Sequence, residues 1–223
     1  FKNFPSILNY CNFIIYEKSP FLRKIQKKKL TDNKVIWISK FNKIKKYPSI
    51  FIANEFFDAL AIKQFKKRKN LWFEKYVNLK DLNKAFFYEK KTDIKKIEKK
   101  INYKISHNQN FVEYSALGLS YLKDISRIIK KNNGGLLLID YGYTEKKMKN
   151  TLKAISNHKF SNVLKNVGEK DITHNINFNL FKNFIRQVNN MECYLTTQKE
   201  FLINMGIKQR AEMISKNKTF TNK

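Results

Sequence analysis

The chain has 223 residues and carries 46 lysines and arginines against 18 aspartates and glutamates, a formal net charge of +28. This length is sufficient for one α/β domain with a sizeable core, and a hydrophobic fraction of 42% excludes a disordered chain. The longest apolar runs, such as Leu136 to Ile139, are too short to cross a bilayer, and two cysteines without metal-ligand spacing indicate a reducing compartment rather than a disulfide framework.

The high charge raises the alternative of a nucleic-acid binder, because lysines neutralise phosphates. Only five of the 46 basic residues are arginine, the side chain that binds phosphates and bases bidentately. The lysines are spread along the whole chain among many Asn, Ile and Phe residues, a composition typical of an A+T-rich genome. We therefore expect no nucleic-acid partner. A basic nucleic-acid binder stays an alternative that submicromolar binding at physiological salt would support.

Continuous apolar runs predict four buried parallel strands, at Phe13 to Tyr16, Val35 to Ile38, Ile50 to Ala53 and Leu136 to Ile139. Ser19-Pro20 predicts the start of a helix that reaches about Leu30, with Ser as the cap and Pro in the first turn. A second helix is predicted from about Ala116 to Lys131, ending before Gly134-Gly135. Strands that alternate with helices predict an α/β fold with a parallel sheet.

The pattern changes between Ala61 and Tyr88, where β-prone segments flank a Lys69-Asn70 turn and predict an inserted hairpin. The lysine-dense stretch from Asp93 to Lys104 is interpreted as an exposed connector. Residues 61–104 are thus expected to form a hairpin and connector insertion in a single domain over residues 1–223. After Asp140 we expect a polar loop, a helix from about Phe178 to Asn190, a strand near Glu192 to Leu195, and a helical pair from Thr197 to about Ile214.

Three of the four predicted strands end at a carboxylate or reach one at once: Glu17, Glu55 after Asn54, and Asp140. Ligands of open α/β sheets bind outside the carboxyl ends of the strands, so these acids are expected to share one rim. Such a rim suits a cationic or hydroxyl-rich ligand, and an acid after the second strand typically binds ribose hydroxyls. The alternative for any single acid is a helix cap or a surface charge.

Other chemistries have little support in the sequence. It contains no G-x-S-x-G elbow and no glycine-rich phosphate loop. The three histidines, His107, His158 and His174, have no metal-like spacing, so we expect structural roles for them and no metal site.

The segment IFIANEFFDALAIKQF, from Ile50 to Phe65, resembles the N-E-x-x-D-A-L-P-V-x-Q-F signature of the MidA-type methyltransferases, bacterial relatives of a mitochondrial complex I assembly factor. Four further segments are similar to family motifs in the same order, and the five together span nearly the whole chain. They are YEKSPFLRKIQ from Tyr16, GGLLLIDYGY from Gly134, HKFSNVLKNVGEKDIT from His158 and TTQKEFLINMGIKQR from Thr196.

The resemblance implies a Rossmann-like class I methyltransferase sheet with helices on both faces, which binds S-adenosyl-L-methionine. The mitochondrial relatives are understood to methylate arginine in a peripheral-arm subunit of respiratory complex I. The implied partner is therefore a protein substrate, in the bacterial cytoplasm or alternatively the mitochondrial matrix, without membrane insertion. A non-catalytic assembly protein that retains the fold stays an alternative.

The resemblance also implies roles for eight residues: catalytic Glu55 and Asp58, cofactor-binding Glu17, Trp37 and Asn54, and substrate-binding Asp140, Asp171 and Asn177. Glu55 would hold a guanidinium group while Asp58 stabilises the developing positive charge. The sequence departs from the family pattern at Ala61, where the signature has proline, and at Asn177, where aspartate is frequent. The family's first strand and glycine-rich loop would precede Phe1, so both are expected to be missing from this chain.

Overall fold

The computed structural model describes residues 6–30, 35–44, 47–80, 84–157, 159–166 and 168–216. The regular elements are, in chain order, α1 (Ile7–Tyr10), β1 (Phe13–Tyr16), α2 (Pro20–Lys29), β2 (Val35–Ile38), a 3-10 turn (Phe41–Lys43), β3 (Ser49–Asn54), β4 (Lys63–Arg68), β5 (Leu71–Leu79), β6 (Ala85–Thr92), α3 (Ile94–Ile101), β7 (Phe111–Tyr114), α4 (Ala116–Asn132), β8 (Gly134–Ile139), β9 (Gly142–Tyr143), β10 (Lys153–Ser156), β11 (Lys159–Ser161), β12 (Asp171–Thr173), β13 (Ile176–Asn177), α5 (Phe178–Asn189), α6 (Gln198–Asn204) and α7 (Ile207–Lys216). The fold is therefore mixed α/β.

The four predicted strands and their parallel pairing are confirmed, and they form two pairs. Their predicted burial is wrong, because Ile38 is the only buried residue among the described residues of these strands. β1 pairs with β2 and β3 pairs with β8, both in parallel. Helix α2 connects the first pair and begins as predicted, with the Ser19 hydroxyl accepting the Leu22 amide and Pro20 in the first turn. Among the described strands, no hydrogen-bonded ladder joins one pair to the other. The single continuous parallel sheet of the prediction is thus present as two separate pairs.

An aromatic cluster connects the two pairs of strands where β1 and β3 end. The ring of Tyr16 stacks on Phe41 at 4.5 Å between centroids and meets Phe56, just beyond β3, edge-on at 6.2 Å. Its hydroxyl donates to the Tyr121 hydroxyl of α4 at 2.9 Å. Burial and then the hydrogen bond with the Tyr121 hydroxyl raise the pKa of Tyr16 above the ordinary value of a phenol. Side-chain packing thus takes the place of backbone pairing between β1 and β3.

Helix α4 covers one face of the β3–β8 pair, and α5 packs against α4. On the other face of β3, Ile50 and Ile52 are 81% and 71% exposed. Within the described residues this face therefore has no helical cover, in contrast to the expected layers on both faces. The hydrophobic core instead lies where α4 and α5 meet the strands that follow β3. Its largest fully buried side chains are Phe57, Phe65, Phe184, Ile105, Leu119, Leu122, Ile176 and Val112.

The segment after β3 forms a four-stranded antiparallel sheet in the order β6-β5-β4-β7. β4 and β5 are joined by Lys69 and Asn70, which have φ values of 44° and 64° and form the tight turn that matches strand twist. β7 pairs with β4 although it lies beyond residue 104. The sheet is therefore wider than a hairpin, and it extends past the 61–104 range.

The prediction of an exposed connector from Asp93 to Lys104 is wrong, because this stretch contains α3. The Asp93 side chain caps the helix by accepting the Lys95 amide at 3.0 Å. Ile94 is buried, and Ile97 and Ile101 pack against the core from the same helix face. The lysines occupy the solvent-facing side of an amphipathic helix.

Beyond β8, short strands β9 to β13 occupy the region that was predicted to be a polar loop. The predicted helix α5 and the helical pair α6 and α7 are confirmed. The predicted strand near Glu192 to Leu195 is wrong: these residues have no regular structure, and Tyr194 is 96% exposed. Within the described ranges, no helix has both the length and the apolar character required to span a membrane.

Adjacent glycines at the start of β8 provide a matched stability test. A Cβ on Gly134 (φ +131°) would lie 1.9 Å from the Ser49 carbonyl oxygen of β3, whereas a Cβ on Gly135 would meet nothing within 4 Å. Backbone strain and overpacking each cost about 1–3 kcal/mol. We therefore expect Gly134→Ala to lower the free energy of unfolding by about 2–4 kcal/mol and Gly135→Ala to change it by less than about 1 kcal/mol. Urea denaturation measures both, and equal effects would contradict the close β3–β8 approach.

Candidate functional site

The carboxyl ends of β1, β3 and β8 lie at one side of the molecule. Glu17 follows Tyr16, whose ring contacts Phe56 at 6.2 Å between centroids, and Phe56 directly follows Glu55. The Glu55 amide donates to the Ile139 carbonyl at 2.9 Å, which aligns the end of β3 with the end of β8. The sequence-predicted acids therefore follow strand ends that contact one another, through the Tyr16 and Phe56 rings and through the hydrogen bond from Glu55 to Ile139.

Glu17 and Trp37, both predicted to bind the cofactor, are connected by a third side chain. Gln26 of α2 donates from Nε2 to Glu17 Oε2 at 3.2 Å and accepts the Trp37 indole N–H at Oε1 at 2.9 Å. Glu17 Oε1 accepts the Ser19 amide at 2.8 Å. Sequence reasoning did not assign a role to Gln26, although it is the last residue of the YEKSPFLRKIQ motif. Gln26 meets the indole at its edge, because the N–H lies in the ring plane, and the Lys27 ammonium lies over the ring at 5.6 Å from the centroid.

Glu55 has the backbone strain that marks many functional positions. Its φ is 45°, a left-handed conformation that residues with a Cβ seldom adopt, and its side chain is exposed. Asn54, the last residue of β3, is exposed as well. The hydrogen bond from the Glu55 amide to Ile139 holds this strained turn in place. Both side chains are thus presented to solvent at the rim.

Asp140 fixes the turn that follows Glu55. Its Oδ2 accepts the amides of Phe57 at 3.1 Å and Asp58 at 3.2 Å, and its Oδ1 accepts the Tyr141 amide at 2.8 Å. Burial and the nearby Asp58 charge raise the pKa of Asp140, while the three amide hydrogen bonds lower it in part. The carboxyl oxygens of Asp140 are directed at the backbone of the turn.

Asp58 is held from the opposite side by the last residue of β12 and the residue after it. The Thr173 hydroxyl donates to Asp58 Oδ2 at 2.8 Å, and the His174 amide donates to the Asp58 carbonyl at 3.1 Å. Within the described part of the chain, Asp58 Oδ1 and His174 Nε2 are buried and have no hydrogen-bond partner. Sequence reasoning treated His174 as structural, since its proximity to Asp58 depends on a contact 116 positions apart along the chain.

Asp171 precedes these residues and Asn177 follows them, and the two differ in burial. Asp171 is exposed in β12, whereas Asn177 is buried and caps α5 by accepting the Leu180 amide at 2.9 Å. Asn177 also lines a cavity of about 580 Å³ between the α3–β7 loop, the β9–β10 loop and α5. Among the described residues, no hydrogen bond joins Asp171 or Asn177 to Glu17, Glu55 or Asp140.

The remaining histidines lie elsewhere. His107 is exposed beside Asn108, and His158 lies outside the described residues. In the parts of the chain that the structure describes, no three His, Cys, Asp or Glu side chains are grouped to hold a metal ion.

Comparison with known proteins identifies relatives along most of the chain. It is 30% identical over 195 residues to the mitochondrial protein arginine methyltransferase NDUFAF7 homolog of Caenorhabditis elegans, a match covering 86% of this chain and 45% of that protein. It is 25% identical over 253 residues to the corresponding Xenopus tropicalis protein, covering 96% and 55% respectively. The chain thus spans about half the length of the curated relatives it matches.

Two solved structures have a fold similar to that of this chain. A COG1565 superfamily protein from Burkholderia thailandensis, solved with bound S-adenosyl-homocysteine, superposes with a TM-score of 0.70 at 18% identity, covering 94% of this chain and 57% of that one. A second structure from the same organism superposes with a TM-score of 0.69. Residues 1–197 match a family of S-adenosyl-L-methionine-dependent methyltransferases, and because this match covers more than half of the sequence, the chain belongs to that family.

Proposed function

We propose that this chain is the core of an S-adenosyl-L-methionine-dependent methyltransferase that acts on arginine side chains of a protein substrate. The observation that carries the proposal is the rim at the ends of β1, β3 and β8. The Glu17–Gln26–Trp37 group follows β1, and the Glu55–Asp58–Asp140 group follows β3 and β8. The Tyr16–Phe56 ring contact between the ends of β1 and β3, in a chain of this family, supports one shared site. The first group suits a nucleoside and the second suits a cation.

The residues of the β1–β2 end fit the adenosine part of the cofactor. A ribose diol is bound by a carboxylate at this position, and Glu17 is half-buried there. An adenine ring requires a flat apolar surface, which Trp37 provides while Gln26 holds its indole in place. Asn54, exposed at the end of β3, would bind the polar tail. When bound, S-adenosyl-L-methionine supplies an electrophilic methyl group on a sulfonium.

The residues after β3 fit the cationic acceptor. Glu55, exposed in its strained turn, would hold two nitrogens of a guanidinium. Asp58 Oδ1 is a buried acceptor without a protein partner in the described residues, and a buried unsatisfied carboxylate oxygen is costly unless a ligand completes it. Asp58 would therefore stabilise positive charge on the acceptor. Asp140 would act by holding the Phe57–Asp58 turn. Asp171, exposed in β12, and Asn177, in the cavity beside α5, would contact the substrate polypeptide.

A further part of the proposal is a parallel strand between β1 and β3, followed by the family's glycine-rich segment, in a protein of its relatives' length. Among the described strands, β1 pairs only with β2 and β3 only with β8. The Tyr16 and Phe56 rings hold the two pairs at a spacing that side chains bridge. A strand inserted there would join both pairs into one sheet. The glycine-rich segment after it would bring the backbone close to the cofactor.

The biological setting is proposed from the relatives alone. Their names place them in mitochondria and describe protein arginine methyltransferases. We propose a protein substrate from the peripheral arm of respiratory complex I. The location would be the cytoplasm in a bacterium or the matrix in a mitochondrion.

Replacing Glu17 with Gln in the full-length protein tests the nucleoside site. Hydrogen bonds to a charged group are worth about 1.5–3 kcal/mol, so S-adenosyl-homocysteine should bind about 10- to 100-fold more weakly by isothermal titration. The exposed Glu169→Gln variant carries the same charge change and should bind normally. Equal affinities for Glu17→Gln and Glu169→Gln would place the cofactor elsewhere. Absence of binding by the unmodified full-length protein would instead favour a non-catalytic assembly protein.

Replacing Glu55 with Gln tests the acceptor site. Loss of the carboxylate that aligns the acceptor guanidinium should lower kcat by about 100-fold and leave S-adenosyl-homocysteine affinity unchanged. Methyl transfer to arginine-containing peptides measures kcat, and the exposed Glu212→Gln variant of α7 serves as the control. Unchanged turnover with normal cofactor binding would reject the role of Glu55.

A further inference from the structure

Glu113 of β7 is a buried carboxylate that lies away from the rim and has no role in the proposed reaction. It is 5% exposed, and in the described part of the chain it forms no ion pair. A buried carboxylate without a cation is costly unless several donors satisfy it. Hydrogen bonds to the Glu113 carboxylate must therefore compensate for its burial.

Those hydrogen bonds connect the antiparallel sheet to the start of β10. Gln64 of β4 donates to Glu113 Oε2 at 2.5 Å, and the Thr151 amide donates to the Glu113 carboxylate at 3.2 Å. The Thr151 hydroxyl donates to Glu113 Oε1 at 2.5 Å. Because a hydroxyl has one proton and the Asn175 carbonyl is further away, at 3.4 Å, the carboxylate is the acceptor.

The Thr151 oxygen then accepts from the segment that holds Asp58. The Asn175 amide donates to Thr151 Oγ1 at 2.9 Å. The two residues before Asn175 contact Asp58: Thr173 through its hydroxyl and His174 through its amide. Successive amides of an extended segment point to opposite sides, so the segment 173–175 bridges Thr151 on one side and Asp58 on the other.

We infer that Thr151 and Glu113 are positioning residues that hold the segment 173–175 against Asp58, and thereby fix the direction of the Asp58 carboxylate. The inference rests on the proposed function for its effect on turnover, but not for its effect on structure. Glu113 orients the Thr151 hydroxyl, Thr151 anchors the Asn175 amide, and Thr173 orients Asp58 Oδ2 so that Oδ1 is left for the acceptor. The antiparallel sheet thus supports Asp58 through Glu113, Thr151 and the segment 173–175.

Thr151→Val and Thr151→Ser form a matched pair that tests the inference, since Val keeps the shape without the hydroxyl and Ser keeps the hydroxyl. In full-length protein, Thr151→Val should lower kcat about 10- to 100-fold, because small misplacements of reacting groups have effects of this size. Its S-adenosyl-homocysteine affinity should be unchanged, and Thr151→Ser should stay within about threefold of wild type. Thr144→Val, on an exposed position of the preceding loop, is the control.

A double-mutant cycle separates positioning from general loss of stability. If Thr151 acts through Asp58, Thr151→Val should have little further effect on kcat in an Asp58→Asn background, whereas a destabilising change would reduce activity equally in both backgrounds. Additive effects would overturn the inference.

Amide hydrogen exchange provides a readout that does not require activity. Thr151→Val should speed exchange at His174 and Asn175, and Thr151→Ser should not. Faster exchange in a protein whose wild type transfers no methyl group would uphold the positioning role while contradicting the proposed function. Unchanged exchange at both amides would overturn the positioning role even if the wild type is active.

Discussion

The hydrogen bonds from the Phe57 and Asp58 amides to Asp140 are the interaction on which the rest of the site depends. They connect the residue after β8 to the turn after β3, two strands that already pair in parallel. Burial and the Asp58 charge raise the pKa of Asp140, and the hydrogen bonds from the backbone amides lower it in part. These amide hydrogen bonds also hold the Asp140 carboxyl group in place. Without these acceptors, two amides of a half-buried turn would lack partners, and neither Glu55 nor Asp58 would have a defined direction.

Asp58 is consequently fixed from two sides. Asp140 holds its backbone from the parallel strands, and Thr173 with His174 holds its side chain and carbonyl from the segment before α5. The strained φ of Glu55 persists because this surrounding structure over-determines it. The antiparallel sheet is part of the same support through Glu113. A rigid frame with one free carboxylate oxygen suits a reaction whose main requirement is alignment.

The sequence predicted those features that depend on short stretches of chain. Continuous apolar runs identified the four parallel strands, and Ser19-Pro20 identified the start of α2. Helix α3 was missed because lysines dominate its composition, and only the placement of Ile94, Ile97 and Ile101 on one face discloses it. The strand expected near Tyr194 did not form: among the described strands none pairs with residues 192–195, and β-propensity has its effect through cross-strand packing. The roles of Glu113 and His174 come from contacts between distant segments, which no local pattern contains. Gln26 lies within the motif that contains Glu17, but its two side-chain hydrogen bonds require the packing of α2 against β2.

The central claim is that the ends of β1 and of β3 form one ligand site. Titration of the isotope-labelled full-length protein with S-adenosyl-homocysteine, followed by two-dimensional amide and indole NMR, tests it most directly, because NMR detects weak binding as well as tight. The account predicts saturable shifts, with a single dissociation constant, at Glu17 and the Trp37 indole and also at Asn54, Glu55 and Asp58. Shifts confined to one of these groups, or located only around the cavity beside Asn177, would contradict it.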